Sequence, residues 1–421
     1  MTHQPKPRPH RAVALAAVLA LAAALGTTGP AGTTGTTGAT APAAGPPAAP
    51  LRLSGAGECT FPMKKQTAGR PWALQRLLLD ELWAGSKGKD VRVAVIDTGV
   101  DRVNPQLSGA LDVGSGKDFI DGKGDGTNDT VGHGTKVAGL IAARPNKGTG
   151  FVGLAPEATI IPIRQNDGQG KGNAETLGKA IDHAVDKGAH IINISQDTDA
   201  PLGENSALGQ AVKRAVDKNV LIVASAGNDG LNGQKRKTYP AAYPKVLAVG
   251  ASDRNNERAA FSQPGTFLAV AAPGVDMLST VPGFGQCVDN GTSFSAPYVA
   301  GVAALLKAQH KDWTPEEIIW QIQQTAERSV KGRDDYVGWG VVDPVRAVTQ
   351  DHERPRAPVP DPGPPPAAAP DVAPLQVTET AQEREERLGT YALGAAAVLI
   401  AVIAGTAVVV RDARNRRRRL Q

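Results

Sequence analysis

Between residues 91 and 327, short dense apolar runs alternate with helical patterns, and that alternation leaves few folds open. The runs fall at 91–96, 159–163, 190–195, 220–225, 246–250 and 268–272. The first, Val91 to Ile96, is rich in Val and Ile, which suits a strand buried on both faces. Helical spacing falls at 133–143, 174–187, 205–218, 293–308 and 315–327. Strands and helices taken in turn predict an α/β domain, a parallel sheet with helices on both sides. Residues 72–348 are enough for one such domain. At its start, Trp72, Leu74, Leu77, Leu78, Leu82 and Trp83 trace the stripe of one short helix.

Three segments in this frame name a reaction. They are Val95-Ile96-Asp97-Thr98-Gly99-Val100, Gly132-His133-Gly134-Thr135 and Gly291-Thr292-Ser293-Phe294-Ser295-Ala296-Pro297. In open α/β sheets, ligands bind beyond the carboxyl ends of the strands. Asp97 and Asn228 follow two predicted strands, while His133 and Ser293 begin two predicted helices. The topology therefore brings all four to one edge. Ser293 is the nucleophile, and a neutral hydroxyl needs a base. His133 is that base, and Asp97 holds its tautomer and stabilises the imidazolium. The Asn228 amide and the Ser293 N–H at a helix start would donate to the oxyanion. Each residue has a plainer reading alone. Asp97 could cap a turn, Asn228 could sit in a tight turn, and Ser293 could be a helix N-cap. Four coincidences at one edge favour the catalytic reading.

The chain ends read as addresses. Lys6, Arg8 and Arg11 precede fourteen apolar residues, Ala12 to Leu25, too short a run to span a bilayer comfortably. This reads as a secretory signal within residues 1–30, with an uncleaved anchor as the alternative. Tyr391 to Val410 holds twenty residues without a charge, enough for one transmembrane helix. Six Arg residues follow in 411–421, which predicts a cytoplasmic tail and an outward-facing domain. The net charge is +5, yet the first eleven residues carry +3 and the last eleven +5, leaving −3 for the body. The basic balance therefore reflects topology, not a nucleic-acid partner. Residues 31–71 form a low-complexity stretch and an extension, and 349–390 a Pro-rich spacer holding the domain off the membrane.

In an exported chain two cysteines favour a bridge, here between Cys59 and Cys287, with two unpaired thiols as the alternative. No His pair has metal-ligand spacing, so neither a zinc hydrolase nor any other cofactor is implied. The loop Asp121 to Asp129 could hold calcium, but it lacks the EF-hand pattern and reads better as a solvated surface loop.

These segments, with Ala224-Ser225-Ala226-Gly227-Asn228, resemble the subtilisin-like serine proteases over residues 72–348. The resemblance implies a three-layer domain with a seven-stranded, mainly parallel sheet and peptide-bond hydrolysis through an acyl-enzyme. It also implies an extended polypeptide substrate lying between two edge segments. Here those are Arg164, Gln165, Asn166, Asp167 and Gly168 on one side and Ser195, Gln196 and Asp197 on the other. The wider arrangement is similar to the mycosins, membrane-anchored proteases of type VII secretion. In that group the N-terminal extension wraps the enzyme rather than acting as a removable inhibitor. Three departures stand out. Lys136 replaces a frequent second His, Asn104 replaces a frequent His before Pro, and Gln196-Asp197 replace small residues beside the specificity pocket.

The sequence thus predicts a tethered, outward-facing serine endopeptidase acting on exported proteins. A structural role in the secretion complex, with proteolysis secondary, is the alternative from another class. An esterase on the same triad is a third reading.

Overall fold

The computed structural model describes residues 65–169, 172–362 and 379–420, and the backbone alone at 52–53. The predicted signal, Cys59 and the middle of the Pro-rich spacer lie outside these residues. The strands are β1 (Arg52–Leu53), β2 (Arg92–Asp97), β3 (Lys117–Asp118), β4 (Thr159–Arg164), β5 (Ile191–Ile194), β6 (Gln196–Asp197), β7 (Leu221–Ser225), β8 (Leu247–Ser252), β9 (Val270–Pro273), β10 (Met277–Thr280) and β11 (Gln286–Asp289). The helices are α1 (Trp72–Gln75), α2 (Leu79–Leu82), α3 (His133–Ala142), α4 (Ala174–Asp186), α5 (Ala207–Asp217), α6 (Thr292–Gln309), α7 (Pro315–Gln324), α8 (Pro344–Thr349) and α9 (Ala381–Arg418).

Seven strands form one sheet in the order β3-β4-β2-β5-β7-β8-β9, and every neighbouring pair is parallel. Val93 to Ile96 are wholly buried, as expected of a central parallel strand covered by helices on both faces. α3 and α6 pack on one side, and α4 and α5 on the other. Thr292 to Leu306 of α6 are buried all round, which makes α6 a core helix. α5 is amphipathic instead, burying Leu208, Ala211, Val212 and Ala215 while Lys213 and Asp217 pair in solvent. The alternation predicted this parallel α/β sheet, and its seven strands are those the resemblance implied.

Three local differences have physical causes. The stripe at 72–83 forms two single turns, α1 and α2, rather than one helix. Its two tryptophans are anchored to separate segments: Trp72 Nε1 donates to the Val275 carbonyl at 3.0 Å and Trp83 Nε1 to that of Leu154 at 2.9 Å. β3 is two residues long, too short to show a period. The charged stretch Glu383 to Arg387, read as part of the spacer, is helical. α9 starts at Ala381 under a reciprocal Thr380–Glu383 capping box. α9 runs 38 residues and is long and apolar enough to cross a membrane. At the other end of the spacer, Asp351 contacts His310 at 2.5 Å, and Arg328 reaches Asp361 at 3.0 Å.

Candidate active site

β2 ends on Asp97, α3 begins at His133, α6 carries Ser293 in its first turn, and Asn228 follows β7. Asp97 is fully buried. Its Oδ1 accepts from His133 Nδ1 at 2.7 Å and from the Thr98 N–H at 2.8 Å. Glycine permits this approach: a Cβ on Gly134 would lie 2.1 Å from the Gly99 carbonyl oxygen. Burial alone would lower the His133 pKa, but the adjacent Asp97 charge and hydrogen bond outweigh it, and the net shift is upward.

Asp129 closes the loop read from sequence as solvated; residues 121–124 are exposed as expected, but Asp129 is not. Its carboxylate is buried. Oδ1 accepts from Gly132 N–H at 2.7 Å and Thr98 Oγ1 at 2.8 Å, and Oδ2 from Thr135 N–H at 2.9 Å and Thr135 Oγ1 at 2.5 Å. Thr98 Oγ1 in turn accepts from the Gly134 N–H at 2.9 Å. Asp129 thus ties the residue after Asp97 to the start of the His133 helix. Burial pushes its carboxyl up despite these bonds. Among the described residues no group of His, Cys, Asp and Glu could hold a metal.

Ser293 is wholly buried, and its hydroxyl donates to the Ser195 carbonyl at 3.0 Å. Ser195 Oγ donates back to the Ser293 carbonyl at 2.8 Å and accepts from Asn193 Nδ2 at 2.9 Å. Pro297 explains why that carbonyl is open. Proline has no N–H, so α6 lacks the i→i−4 donor that Ser293 C=O would otherwise receive. A turn of the Ser293 side chain from Ser195 is needed for its proton to reach an imidazole; hydrogen bonds of this kind often tighten only with substrate. Asn228 Oδ1 accepts from the Thr292 N–H at 2.9 Å and its hydroxyl at 3.1 Å. With the oxygen anchored, the amide is left its NH₂ to donate. Thr292 had no sequence signal beyond its adjacency to Ser293.

The residues predicted to flank a peptide divide. Arg164 is turned away, its guanidinium bonded to Asp118 at 2.8 Å and Asp121 at 2.6 Å. Its side chain braces the sheet edge rather than a substrate. Gln165 and Asn166 bridge to the other wall: Gln196 Nε2 donates to Gln165 Oε1 at 2.5 Å, and Asn166 Nδ2 donates to Gln196 Oε1 at 3.0 Å. The Asp167 carboxylate accepts from the Gln169 N–H at 2.9 Å. Gly168 has φ +73°, with the Val131 side chain against it. The Ser195 side chain is committed to Ser293. Asp197 is buried, and Gln196–Asp197 pairs antiparallel with Arg52–Leu53. The extension expected only to wrap the enzyme therefore takes, at these two residues, the edge expected to receive substrate.

Lys136 and Asp289 form a buried ion pair at 2.6 Å. The Lys136 ammonium also lies 5.7 Å from the Phe294 ring, which meets the His133 ring at 5.5 Å. Asn104 is buried and donates to the Val281 carbonyl at 2.9 Å. Cys287 lies on β11, opposite Ser279 of β10.

The model of the subtilase family of S8 peptidases matches residues 88–340. A thermophilic serine proteinase of Bacillus sp. (strain AK1) is 40% identical over 282 residues, 67% of this chain and 67% of its own length. Mycosin-1 of Mycolicibacterium smegmatis is 32% identical over 363 residues, 74% of this chain and 77% of its own. The crystal structure of MycP1 from the ESX-1 type VII secretion system superposes with a TM-score of 0.64 at 33% identity, covering 74% of this chain and 94% of that one. The MycP3 protease of the ESX-3 system gives 0.62 at 34% identity, covering 72% and 95%. Fold, matched span and relatives agree: the chain belongs to the subtilase family and is a serine endopeptidase of the mycosin type.

Proposed function

We propose that the chain is a membrane-tethered, outward-facing endopeptidase that cleaves exported proteins in association with a type VII secretion complex. Asp97, His133 and Ser293 act as orienting carboxylate, base and nucleophile, and Asn228 donates to the oxyanion. The observation that carries this reading is the buried Asp97–His133 bond of 2.7 Å, placed at the same sheet edge as Ser293 and an Asn228 amide whose oxygen is already held. The chemistry runs in two halves. His133 takes the Ser293 proton as Oγ attacks the carbonyl, then passes it to the leaving amine. Water, activated by the same imidazole, releases the acyl group.

A signal within residues 1–30 exports the body, residues 391–410 span the membrane, and the Arg-rich 411–421 stays inside. Residues 349–390 link catalytic domain and span. Cys59 and Cys287 pair, pinning the extension near the nucleophile's strand hairpin. The likeness to MycP1 and MycP3 supports the secretion context.

Two measurements in the producing cell test this. A protease added to intact cells should digest the body and spare a tag placed after Gln421. Ser293→Ala should abolish processing of exported proteins. A tag cleaved from outside refutes the orientation. Secretion that survives Ser293→Ala but fails on deletion makes the structural role in the complex the essential one.

A further inference from the structure

α3 starts on a residue that cannot cap it. The first N–H groups of a helix have no partner inside it, and a polar side chain at the cap position usually accepts from them. The cap residue here is Gly132, which has no side chain, and its φ of +83° lies in the left-handed region that favours glycine. Asp129, three residues earlier, fills the role. It is 7% exposed. Its Oδ1 accepts from the Gly132 N–H at 2.7 Å and the Val131 N–H at 3.2 Å, and its Oδ2 from the Thr135 N–H at 2.9 Å. A carboxylate at this place also meets the positive end of the helix dipole.

The same carboxylate reaches the end of β2. The Thr98 hydroxyl donates to Oδ1 at 2.8 Å and accepts from the Gly134 N–H at 2.9 Å. The Thr135 hydroxyl donates to Oδ2 at 2.5 Å and accepts from the Asp101 N–H at 2.9 Å. Both chain neighbours of His133, Gly132 and Gly134, are thus bonded to Asp129 or to a hydroxyl it holds. The Thr98 N–H in turn donates to Asp97 Oδ1 at 2.8 Å. Asp97 and His133 are 36 residues apart and stand on separate elements. Asp129 fixes the backbone on both sides of their 2.7 Å bond. Both of its oxygens must accept to do so. An amide of the same shape accepts on one side only and turns its NH₂ against an N–H on the other.

We infer that Asp129 is a positioning residue for the reaction: acting through Thr98 and the start of α3, it holds the His133 imidazole on Asp97. This rests on the proposed role of His133 as the base.

The test uses full-length protein in detergent and compares wild type, Asp129→Asn, Thr98→Val, Thr98→Ser and His133→Ala. Two rates are read: fluorophosphonate labelling of Ser293, and hydrolysis of the best-cleaved member of a fluorogenic peptide library. The labelling rate constant does not depend on how much of the protein is folded. Asp129→Asn should lower it and kcat together about a hundredfold, with KM changed by less than about twofold. A base loosened from Asp97 loses the charge that favours its protonated form, so the acid limb of kcat/KM should also move to lower pH. Thr98→Val should slow labelling about tenfold, and Thr98→Ser, which keeps the hydroxyl, should restore it. Wild-type rates in Asp129→Asn, a loss confined to KM, or Thr98→Ser as slow as Thr98→Val overturns the inference. Should Asp129→Asn not fold, the Thr98 pair decides, and wild-type labelling in Thr98→Val overturns it. His133→Ala separates the two failures. Labelling slowed there but not in Asp129→Asn or Thr98→Val removes this inference alone; labelling unslowed there removes the base with it.

Discussion

Ser195 and Ser293 hold one another reciprocally: each hydroxyl donates to the other's carbonyl, at 2.8 and 3.0 Å. The pair is possible because Pro297 cannot supply the helical donor that Ser293 C=O would otherwise take. One proline thus fixes the wall strand against the nucleophile's helix. Ser195→Ala should leave a buried carbonyl unsatisfied and cost about 1–3 kcal/mol in urea unfolding. In a Pro297→Ala background the helix can make its own bond to that carbonyl. The Ser195→Ala cost there should shrink by about 1 kcal/mol, read as the coupling of a double-mutant cycle. Strict additivity would refute the link.

With His133 as the proposed base, its raised pKa should set the acid limb of activity. Burial opposes the shift, and Asp97 supplies it. The base works only when neutral, so kcat/KM should fall as pH drops through a value above the ordinary 6.5 of histidine. Asp97→Asn removes the charge that favours the imidazolium, and the limb should move to lower pH while kcat falls by about 10⁴. A pH–rate profile of both forms checks this. A limb unmoved by Asp97→Asn would show that another group titrates.

Lys136 and Asp289 are both almost fully buried, and a buried charge left behind is expensive. Asp289→Asn should destabilise by about 3 kcal/mol in denaturant unfolding. Lys136→Met with Asp289→Leu removes both charges and should recover most of that loss. Equal costs for the single and the double variant would contradict the account.

Pairing of Arg52–Leu53 with Gln196–Asp197 places part of the extension on the wall proposed to receive a peptide. Arg52→Pro/Leu53→Pro withdraws both N–H donors of that short strand. Peptide hydrolysis should rise about threefold to tenfold through a lower KM, because the strand competes with substrate and does not touch the chemistry. An unchanged KM would mean substrate uses another path.

The sequence made the sheet legible because its strands are dense and β-branched: Val93 to Ile96 announce β2 directly. Asp97, His133, Asn228 and Ser293 were legible because each sits at a strand end or helix start, where local pattern alone fixes the sheet edge. Asp129 and Thr292 were not, since their roles depend on partners 31 and 64 residues away. The reciprocal serines are 98 residues apart, although Pro297 four residues after Ser293 marked an open carbonyl. Arg164 ends β4, but Asp118 and Asp121 claimed its charge. The seventh strand, β3, and the strand β1 have two residues each, and at that length only the folded partner defines a strand.

The central claim is that Ser293 is an activated nucleophile. The direct measurement is the mass of the intact protein and its tryptic peptides after treatment with a fluorophosphonate at neutral pH. A single adduct on Ser293, absent in Ser293→Ala and slowed at least a hundredfold in His133→Ala, is the predicted result. Folded protein whose Ser293 stays unmodified, or reacts equally fast without His133, would contradict it.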